Sequence, residues 1–281
     1  MPDISLIIPT YGRFDDLDRF LDSITKQTHS LNGIEVLIMD QNDVIDLSPI
    51  VLKYSTALNI IHTKLDVKGS ANAKNVGIKS SKANLITFPD DDCVFYEDTI
   101  ESAISFFKEN PSVDVVYGRV YNRSAKKNVM REWPDKTVDL NIYNFHLNYS
   151  AITCFSSVKD VYYEVNFGTG AYYPSGDELG YIIDAVKKYK VVYTNTIDVW
   201  HAELNVSVMP EKKIYNYAFG YGAILKKKAS AAISFLFFKS VINQLLLLIK
   251  NSVVFNKSRI RKHYAALKGR VDGFFGYNKE L

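Results

Sequence analysis

Short apolar runs alternate with helical segments along the first part of the chain. Residues 4–8, 34–39, 58–62 and 84–88 are largely apolar, which predicts buried strands. Residues 17–24, 69–80 and 97–108 predict the intervening helices. Strands that are apolar on both faces are typical of parallel sheets covered by helices. The pattern therefore predicts an α/β fold with a mixed, mainly parallel sheet.

The alternation continues to about residue 201. Pro9 lacks an N–H group and is expected to end the first strand. Further strands are predicted at 113–121, 151–155 and 190–194, with an apolar run at 199–201, and a helix is predicted at 177–188. Residues 122–150 are polar, aromatic and aperiodic, which predicts a long loop or flap. We expect a domain over 1–209, with halves 1–121 and 122–209.

A different pattern begins after Pro210, where residues 210–281 predict a helical segment. Residues 229–255 are very apolar, but Lys239 and Lys250 interrupt the run, so an uninterrupted membrane-spanning helix is not predicted. Lys228 precedes them at the same 11-residue spacing, which would place all three on one helix face. Such a helix suits a membrane interface, or packing on the preceding domain or a second subunit.

Composition narrows the class of protein. The chain has 281 residues and a formal net charge of +3, which is too small to indicate a nucleic-acid partner. Its two cysteines form neither a disulfide framework nor a zinc-ligand pattern, so a reducing compartment is expected. The first residues lack the features of a signal peptide, and we expect a cytoplasmic protein.

The strand predicted at 84–88 is followed, after Pro89, by three carboxylates, Asp90, Asp91 and Asp92. Adjacent anions repel one another, so a fold retains them where positive charge is supplied. One interpretation is a Mg²⁺ or Mn²⁺ site, since these ions prefer oxygen ligands and often bridge phosphates. The alternative is a solvated acidic turn. The carboxyl end of a strand is also where open α/β sheets place their ligands.

Two further segments carry candidate chemistry. Ser175 and Glu178 have the spacing of a capping box, yet Asp177 or Glu178 could instead accept a proton from an incoming hydroxyl. His201 follows Trp200 and is either a packing residue or a further metal ligand beside the acidic triplet. The chain has no Gly-x-Gly-x-x-Gly after the first strand and no Gly-Lys-Ser/Thr loop, which disfavours dinucleotide and P-loop folds.

The order of these motifs is more specific than any one alone. The chain contains, in order, Ile8-Pro9-Thr10-Tyr11-Gly12-Arg13, Asp40, Gly69-Ser70-Ala71-Asn72-Ala73-Lys74-Asn75-Val76-Gly77, Phe88-Pro89-Asp90-Asp91-Asp92, Gly176-Asp177-Glu178 and His201. This series resembles the family 2 glycosyltransferases of the GT-A (Rossmann-like) nucleotide-sugar-binding fold, over roughly residues 3 to 205.

The resemblance implies a nucleotide-sugar donor, usually a UDP-sugar, bound across the first half. The residues it implicates in donor binding are Pro9, Thr10, Tyr11, Asp40, Lys74, Asn75, Asp90 and Asp91. It makes Asp92 the main ligand of Mn²⁺ or Mg²⁺, with Asp90 and His201 as further ligands. The family often has arginine where this chain has Lys74, and lysine lacks the bidentate fork.

By the same resemblance, Glu178 or Asp177 is the catalytic base. Many members read Gly-Glu-Asp at this point, so the register favours Glu178 although Asp177 remains an alternative. The implied function is an inverting, metal-dependent transfer of a sugar to a hydroxyl of a glycan or lipid-linked acceptor. The expected process is bacterial polysaccharide biosynthesis (capsule, O-antigen or exopolysaccharide), at the inner face of the cell membrane, with contact through 229–255. The chain could also form a homo-oligomer.

Three alternatives stay open. A nucleotidyltransferase also uses an α/β domain with paired carboxylates but releases pyrophosphate. A non-catalytic nucleotide-sugar-binding or scaffold subunit would need neither base nor metal. A phosphatase with Asp90 as nucleophile would leave Asp40 and Lys74 without roles.

Overall fold

The structure is a computed structural model that describes residues 1–203 and 208–279. These residues form two compact units. The first contains 1–162 and 184–203, and the second contains 163–183 and 208–279. The predicted boundary at 209 and 210 stays a prediction, because the neighbouring residues 204–207 lie outside the described residues, as does the predicted end of the family resemblance near 205.

The first unit is built on a ten-stranded sheet. Its strands are β1 Ile4–Thr10, β2 Ile34–Asp40, β3 Asn59–Lys64, β4 Leu85–Thr87, β5 Val94–Phe95, β6 Val115–Asn122, β7 Lys127–Asn128, β8 Val138–Leu140, β9 Cys154–Ser156 and β10 Val191–Trp200. Its helices are α1 Phe14–Thr25, α2 Ser48–Tyr54, α3 Ser70–Ser80 and α4 Thr99–Glu109. Helix α5, Asp177–Lys188, has the bounds predicted from the sequence.

The sheet is mixed, as the sequence predicts. Its order is β3-β2-β1-β4-β9-β6-β10-β5, with β7 beside β6 and β8 beside β10. Strands β3, β2, β1 and β4 are parallel neighbours, and β9 runs antiparallel between β4 and β6. The carboxyl ends of β1, β2 and β4 therefore lie along one edge, where the motifs that contain Thr10, Asp40 and Asp92 occur.

The prediction that Pro9 ends the first strand is wrong, because β1 continues to Thr10 and Pro9 pairs with Met39 of β2. The pairing with β4 stops at Leu6, so β1 has only one neighbour at the level of Pro9. A strand tolerates proline where one of its edges is unpaired, since the missing N–H group can face that side.

Short elements were not predicted. Helix α2 and strand β5 are absent from the sequence interpretation, and the predicted loop 122–150 contains β7 and β8. The two runs predicted near 190–194 and 199–201 are parts of one strand, β10. Pairing with β6 shifts register between Tyr193 and Asp198, and this irregularity hides the continuity of β10 in the sequence pattern.

The second unit is mainly helical. It contains α6 Glu211–Lys227, α7 Ala231–Val253 and α8 Lys257–Phe275. Helices α6 and α8 pack at glycines: a Cβ at Gly222 would lie 2.2 Å from the Arg270 carbonyl oxygen, and a Cβ at Gly273 would lie 2.0 Å from the Phe219 carbonyl oxygen. Only glycine permits so close an approach of the two backbones.

The three-lysine stripe is not a feature of one helix. Lys228 is the C-cap residue of α6, and its ammonium group pairs with Glu164, whereas Lys239 and Lys250 belong to α7. The chain turns at Ser230, whose hydroxyl caps α7 by accepting a hydrogen bond from the Ile233 N–H group. The 11-residue spacing spans a break that the apolar pattern does not reveal.

We predict that Gly273→Val weakens the second unit. The added side chain must displace the α6 backbone, so the free energy of unfolding should fall by about 3 kcal/mol or more. Urea denaturation followed by circular dichroism measures it, with Ala231→Val as a matched control at an exposed position in the first turn of α7. Equal midpoints for the two variants would contradict the close helix packing.

Candidate active site

The acidic triplet lies in the turn between β4 and β5, where two basic side chains offset part of its charge. The Arg13 guanidinium, at the start of α1, forms an ion pair with Asp92 and lies 3.1 Å from the Asp91 carboxylate. His201 Nε2 lies 3.5 Å from the other oxygen of Asp92. The structure thus brings Asp92 and His201 together and adds an arginine, while the metal-binding role of the pair stays a prediction.

The sheet register explains why His201 reaches the triplet. Strand β10 pairs antiparallel with β5, and Trp200 lies opposite Val94. The residue after β10 is therefore level with the residues immediately before β5. The His201 Nδ1 atom lies 2.7 Å from the Ala202 carbonyl oxygen. A proton on Nδ1 can be donated to that carbonyl, so Nε2 is the ring nitrogen that faces Asp92, where it can donate a second proton to the carboxylate or offer its lone pair to a cation.

The three carboxylates are not equivalent. Burial raises the pKa of Asp91 to about 7, with the charges of Asp90 and Asp92 adding to this effect and Arg13 opposing it. Burial would also raise the pKa of Asp92, but His201 and Arg13 outweigh it and lower that pKa below its usual value. Asp92 is therefore the better anionic ligand at neutral pH, while Asp91 is easily protonated.

The negative charge of Asp92 also changes the pKa of His201. The hydrogen bond to Asp92 raises the pKa of His201 above its ordinary value, although burial acts in the opposite direction. Metal-free His201 is therefore easily protonated near neutral pH. Asp90 is half-buried, and its carbonyl oxygen accepts a hydrogen bond from the Cys93 N–H group at 3.3 Å. Its predicted roles at the donor and the metal stay predictions.

Asp40, at the end of β2, organises the adjoining loops. Its side chain is almost completely buried and accepts hydrogen bonds from the backbone and side-chain nitrogens of Asn42, both at 2.8 Å. His62 and Lys64 of β3 lie 3.0 and 3.2 Å from its second oxygen. Burial would raise the pKa of Asp40, but these partners lower it below its usual value.

The loop after β2 holds two neighbouring loops in place. The Asn42 side-chain oxygen accepts a hydrogen bond from the Gly12 N–H group at 2.6 Å, and that of Gln41 accepts one from the Gly69 N–H group at 2.6 Å. Gly12 follows β1, and Gly69 precedes α3 with a positive φ of 127°. Asp40 therefore acts through Asn42 on the loop that carries Tyr11.

The residues predicted to contact the base differ in exposure. Tyr11 is 55% exposed, which leaves ring surface available for stacking, and the Lys68 ammonium lies over the ring at 4.9 Å from its centroid. Pro9 is half-buried. The Thr10 hydroxyl is buried beside Asp91, and its interaction with that carboxylate lowers the pKa of Asp91, in opposition to the effect of burial.

Helix α3 carries Lys74 and Asn75. Lys74 is only 2% exposed, and Asn75 is half-buried. A buried ammonium group requires polar partners, so Lys74 has a structural role beside any contact with the donor. Its predicted contact with the nucleotide stays a prediction.

Asp177 and Glu178 belong to the second unit and open α5. Asp177 is 8% exposed and Glu178 is half-buried. The Ser175 hydroxyl donates to the Tyr217 carbonyl oxygen of α6 at 2.7 Å. This hydrogen bond links the loop before α5 to α6. Gly176 has a φ of 99°, and a Cβ there would lie 2.9 Å from the Gly220 carbonyl oxygen. The two carboxylates therefore follow a sharp turn fixed against α6.

The donor atoms near the triplet fit a divalent cation that shares its coordination with a ligand. Within residues 1–203 and 208–279, no three His, Cys, Asp or Glu side chains form a ready metal site. Mg²⁺ and Mn²⁺ commonly use one or two protein ligands and complete their shell with phosphates. The Asp92 carboxylate and the carbonyl-anchored His201 imidazole are such a pair. Because Mg²⁺ prefers oxygen, the imidazole favours Mn²⁺.

Sequence reasoning missed Arg13, Asn42 and His62. Arg13 is in the quoted motif but received no role, although an arginine just after the first strand can reach any anion at the same sheet edge. Asn42 and His62 have no distinctive local pattern, and only the parallel pairing of β2 with β3 brings His62 to Asp40.

We predict that Asp40→Asn lowers the free energy of unfolding at pH 7. The variant loses charge-assisted hydrogen bonds from His62 and Lys64, each worth about 1.5–3 kcal/mol. A lowered folded pKa gives stability that is present above the unfolded pKa of about 4 and lost at lower pH, so the difference from wild type should shrink towards pH 3. Urea unfolding measures it. The exposed Asp43→Asn is the control, and equal losses would contradict the network.

Comparisons with known proteins agree with this geometry. A family model described as Glycosyl transferase family 2 matches residues 5–165. Glycosyltransferase AglE of Haloferax volcanii is 30% identical over 122 residues, which are 43% of this chain and 40% of that protein. The poly(ribitol-phosphate) β-N-acetylglucosaminyltransferase TarP of Staphylococcus aureus N315 is 29% identical over 121 residues, 42% of this chain and 37% of TarP. The matched part is less than half the length of these relatives.

Two solved structures share the fold. The mannosyltransferase PcManGT of Pyrobaculum calidifontis, in complex with GDP-Man and Mn²⁺, has a TM-score of 0.65 at 12% identity, covering 99% of this chain and 90% of its own. S. aureus TarS 1–349, in complex with UDP-GlcNAc, has a TM-score of 0.61 at 15% identity, covering 99% and 93%. The predicted GT-A fold is confirmed. Since the family model covers more than half of the chain, the protein belongs to glycosyl transferase family 2.

Proposed function

We propose that the protein transfers a sugar from a UDP-sugar to a hydroxyl group of a glycan or lipid-linked acceptor. The observation that carries the proposal is the pairing of Asp92 with a carbonyl-anchored His201, at the end of strands whose loops are held together by Asp40, Gln41 and Asn42. Such an edge of an α/β sheet is where nucleotides bind. TarS has been solved with UDP-GlcNAc, which supports a UDP-sugar donor.

Asp92 and His201 would hold Mn²⁺ or Mg²⁺, with Asp90 as a further ligand. When bound, the cation offsets negative charge on the departing diphosphate. Arg13 keeps Asp92 ionised before the donor arrives and can then turn towards a phosphate, since guanidinium suits both carboxylate and phosphate. The exposed Tyr11 ring offers a stacking surface for the base.

Glu178 or Asp177 would remove the proton from the acceptor hydroxyl. Both belong to the first turn of α5, and a carboxylate within hydrogen-bond reach of the acceptor hydroxyl can take its proton. A single displacement by the activated hydroxyl breaks the bond between the anomeric carbon and the diphosphate oxygen. The configuration at the anomeric carbon is thereby inverted.

Synthesis of a bacterial surface polysaccharide is the proposed process, and TarP and TarS are named as enzymes that modify poly(ribitol phosphate). We place the protein at the inner face of the cell membrane, with contact through α7. Helix α7 is, among the described residues, long and apolar enough to cross a membrane, by length and composition only.

A nucleotidyltransferase would release pyrophosphate instead of UDP, and a scaffold subunit would release neither.

Binding of Mn²⁺ in the presence of UDP should strengthen as pH rises from about 5.5 to 8. The raised pKa of His201 means that a proton must leave Nε2 before it can bind metal, so affinity should fall up to about tenfold per pH unit below that pKa. Calorimetry in buffers of different ionisation enthalpy counts the released proton. His201→Gln should reduce the pH dependence by the one proton that leaves Nε2, and Asp92→Ala should lose binding throughout. Unchanged binding in Asp92→Ala would defeat the metal role.

Removal of the base should slow the chemical step but leave donor binding intact. A positioned general base contributes about 10²–10⁴-fold, so either Glu178→Gln or Asp177→Asn should lower kcat by about a hundredfold or more. Transfer assays with the dissociation constant of UDP as a control separate the two effects. Full activity in both variants would exclude a base at this helix start.

The linkage in the product should have the opposite anomeric configuration to the donor. An α-linked UDP-sugar should therefore give a β-linkage, because one displacement inverts the reacting carbon. Anomeric coupling constants in proton NMR spectra of the product check it. Retention of configuration would rule out the single-displacement mechanism.

A further inference from the structure

Helix α7 presents a continuous apolar stripe to solvent. The side chains of this stripe are all exposed, from 44% at Leu245 to 72% at Val253. They are Phe235, Phe238, Ile242, Leu245, Leu246, Ile249 and Val253. At roughly 100° per residue they fall within about 100° of the helix circumference. We call this surface the α7 stripe. An exposed apolar surface of this extent is typical of a site that contacts another molecule or a membrane.

The opposite face of α7 is docked on α8. The Phe237 and Phe274 rings stack with centroids 3.8 Å apart, and the Arg270 guanidinium donates to the Ser240 carbonyl oxygen at 2.6 Å. His263 Nδ1 lies 3.0 Å from Gln244 Oε1. These contacts fix α7 against the protein. The stripe is therefore the outer side of a docked helix and suits lying along a surface better than crossing a bilayer.

Cations border the stripe on one side. Lys239 and Lys250, with Asn243, occupy roughly the next 60° of the helix circumference. Between Glu211 and Asp272 the sequence contains thirteen lysines and arginines and no aspartate or glutamate. Two copies of such a surface would bring like charges together, which disfavours self-association. An anionic surface is electrostatically complementary to it.

A cavity of about 500 Å³ opens where α7 passes into α8. Lys250 lines it from α7, and Arg259 and Lys262 line it from α8. The rest of the wall is formed by Leu247, Asn251, Asn256, Ser258 and His263. Cationic side chains with amide and hydroxyl groups are the chemistry that binds phosphate. Lys250 belongs both to the border of the stripe and to the cavity, so the two features adjoin.

We propose that the α7 stripe lies in the surface of an anionic membrane and that the cavity of Lys250, Arg259 and Lys262 binds the phosphate of an anionic lipid headgroup. Apolar side chains enter the boundary between headgroups and acyl chains, and the adjoining cavity then lies at the depth of the lipid phosphates. The inference rests on the proposed membrane location and not on the transfer chemistry. It makes α7 and α8 a lipid-selective anchor.

The test is co-sedimentation of the full chain with phosphatidylcholine vesicles, with and without about one third phosphatidylglycerol. Wild type should bind the anionic vesicles more tightly. The cavity variant Lys250→Ser/Arg259→Ser/Lys262→Ser should bind them roughly a hundredfold more weakly, at about fivefold per cation. Lys250→Ser alone should show about a fivefold loss. Phe238→Ser/Leu246→Ser should weaken binding to both kinds of vesicle.

A charge-matched control separates a site from general attraction. Lys82→Ser/Lys108→Ser/Lys136→Ser removes three exposed lysines of the first unit and should leave vesicle binding nearly unchanged. Equal losses in the two triple variants would overturn the cavity site. Binding without preference for anionic vesicles would overturn it too, while leaving the membrane location standing.

Two other results would also overturn the proposal. In the first, inorganic phosphate raises the melting temperature of wild type but not of the cavity variant, and the protein shows no preference for anionic vesicles. This result would assign the cavity to free phosphate. A dimer in sedimentation that Phe238→Ser/Leu246→Ser dissociates, with no vesicle binding, would assign the stripe to a second copy. Release of UDP from a UDP-sugar, measured in parallel without lipid, tests the transferase independently.

Discussion

The site depends on one constraint, the partial burial of three adjacent carboxylates, Asp90, Asp91 and Asp92, at the end of a buried strand. Arg13 and His201 supply the opposing charge, and both reach Asp92. Burial leaves Asp91 with a pKa of about 7, while the pKa of Asp92 is lowered. The same turn therefore holds the ionised Asp92, which can bind a cation, beside Asp91, which is partly protonated near pH 7. A cation bound to Asp92 must therefore compete with Arg13 and with the proton on His201.

The same edge of the sheet is held together by a second set of contacts. Asp40 fixes Asn42, and the neighbouring Gln41 and Asn42 hold the backbones at Gly69 and Gly12. The four donors on Asp40 occupy about all the accepting capacity of a carboxylate. Asp40 can therefore accept a hydrogen bond from a bound base only if one of these donors gives way. Its main structural contribution is to position the loops, and the base contact stays a proposal.

Much of this arrangement could be predicted from the sequence, because parallel strands place their carboxyl ends together. The motifs at Thr10, Asp40 and Asp92 follow three such strands, so their proximity follows from the fold. The pairing of β5 with β10, which brings in His201, rests on two residues of β5 and has no periodic signal. The prediction that Lys228, Lys239 and Lys250 share one helix face was wrong because Ser230 starts a new helix. A single capping serine within an apolar run gives little sign of a helix boundary.

The central claim is that this sheet edge binds a UDP-sugar through a divalent cation and cleaves it. The most direct measurement is a panel of UDP- and GDP-sugars with Mn²⁺, scored by the rise in melting temperature and by release of the free nucleoside diphosphate. The account predicts that at least one UDP-sugar stabilises the protein and slowly releases UDP, that both effects need Mn²⁺, and that no pyrophosphate appears. Stabilisation by GDP-sugars alone, or release of pyrophosphate, would contradict it.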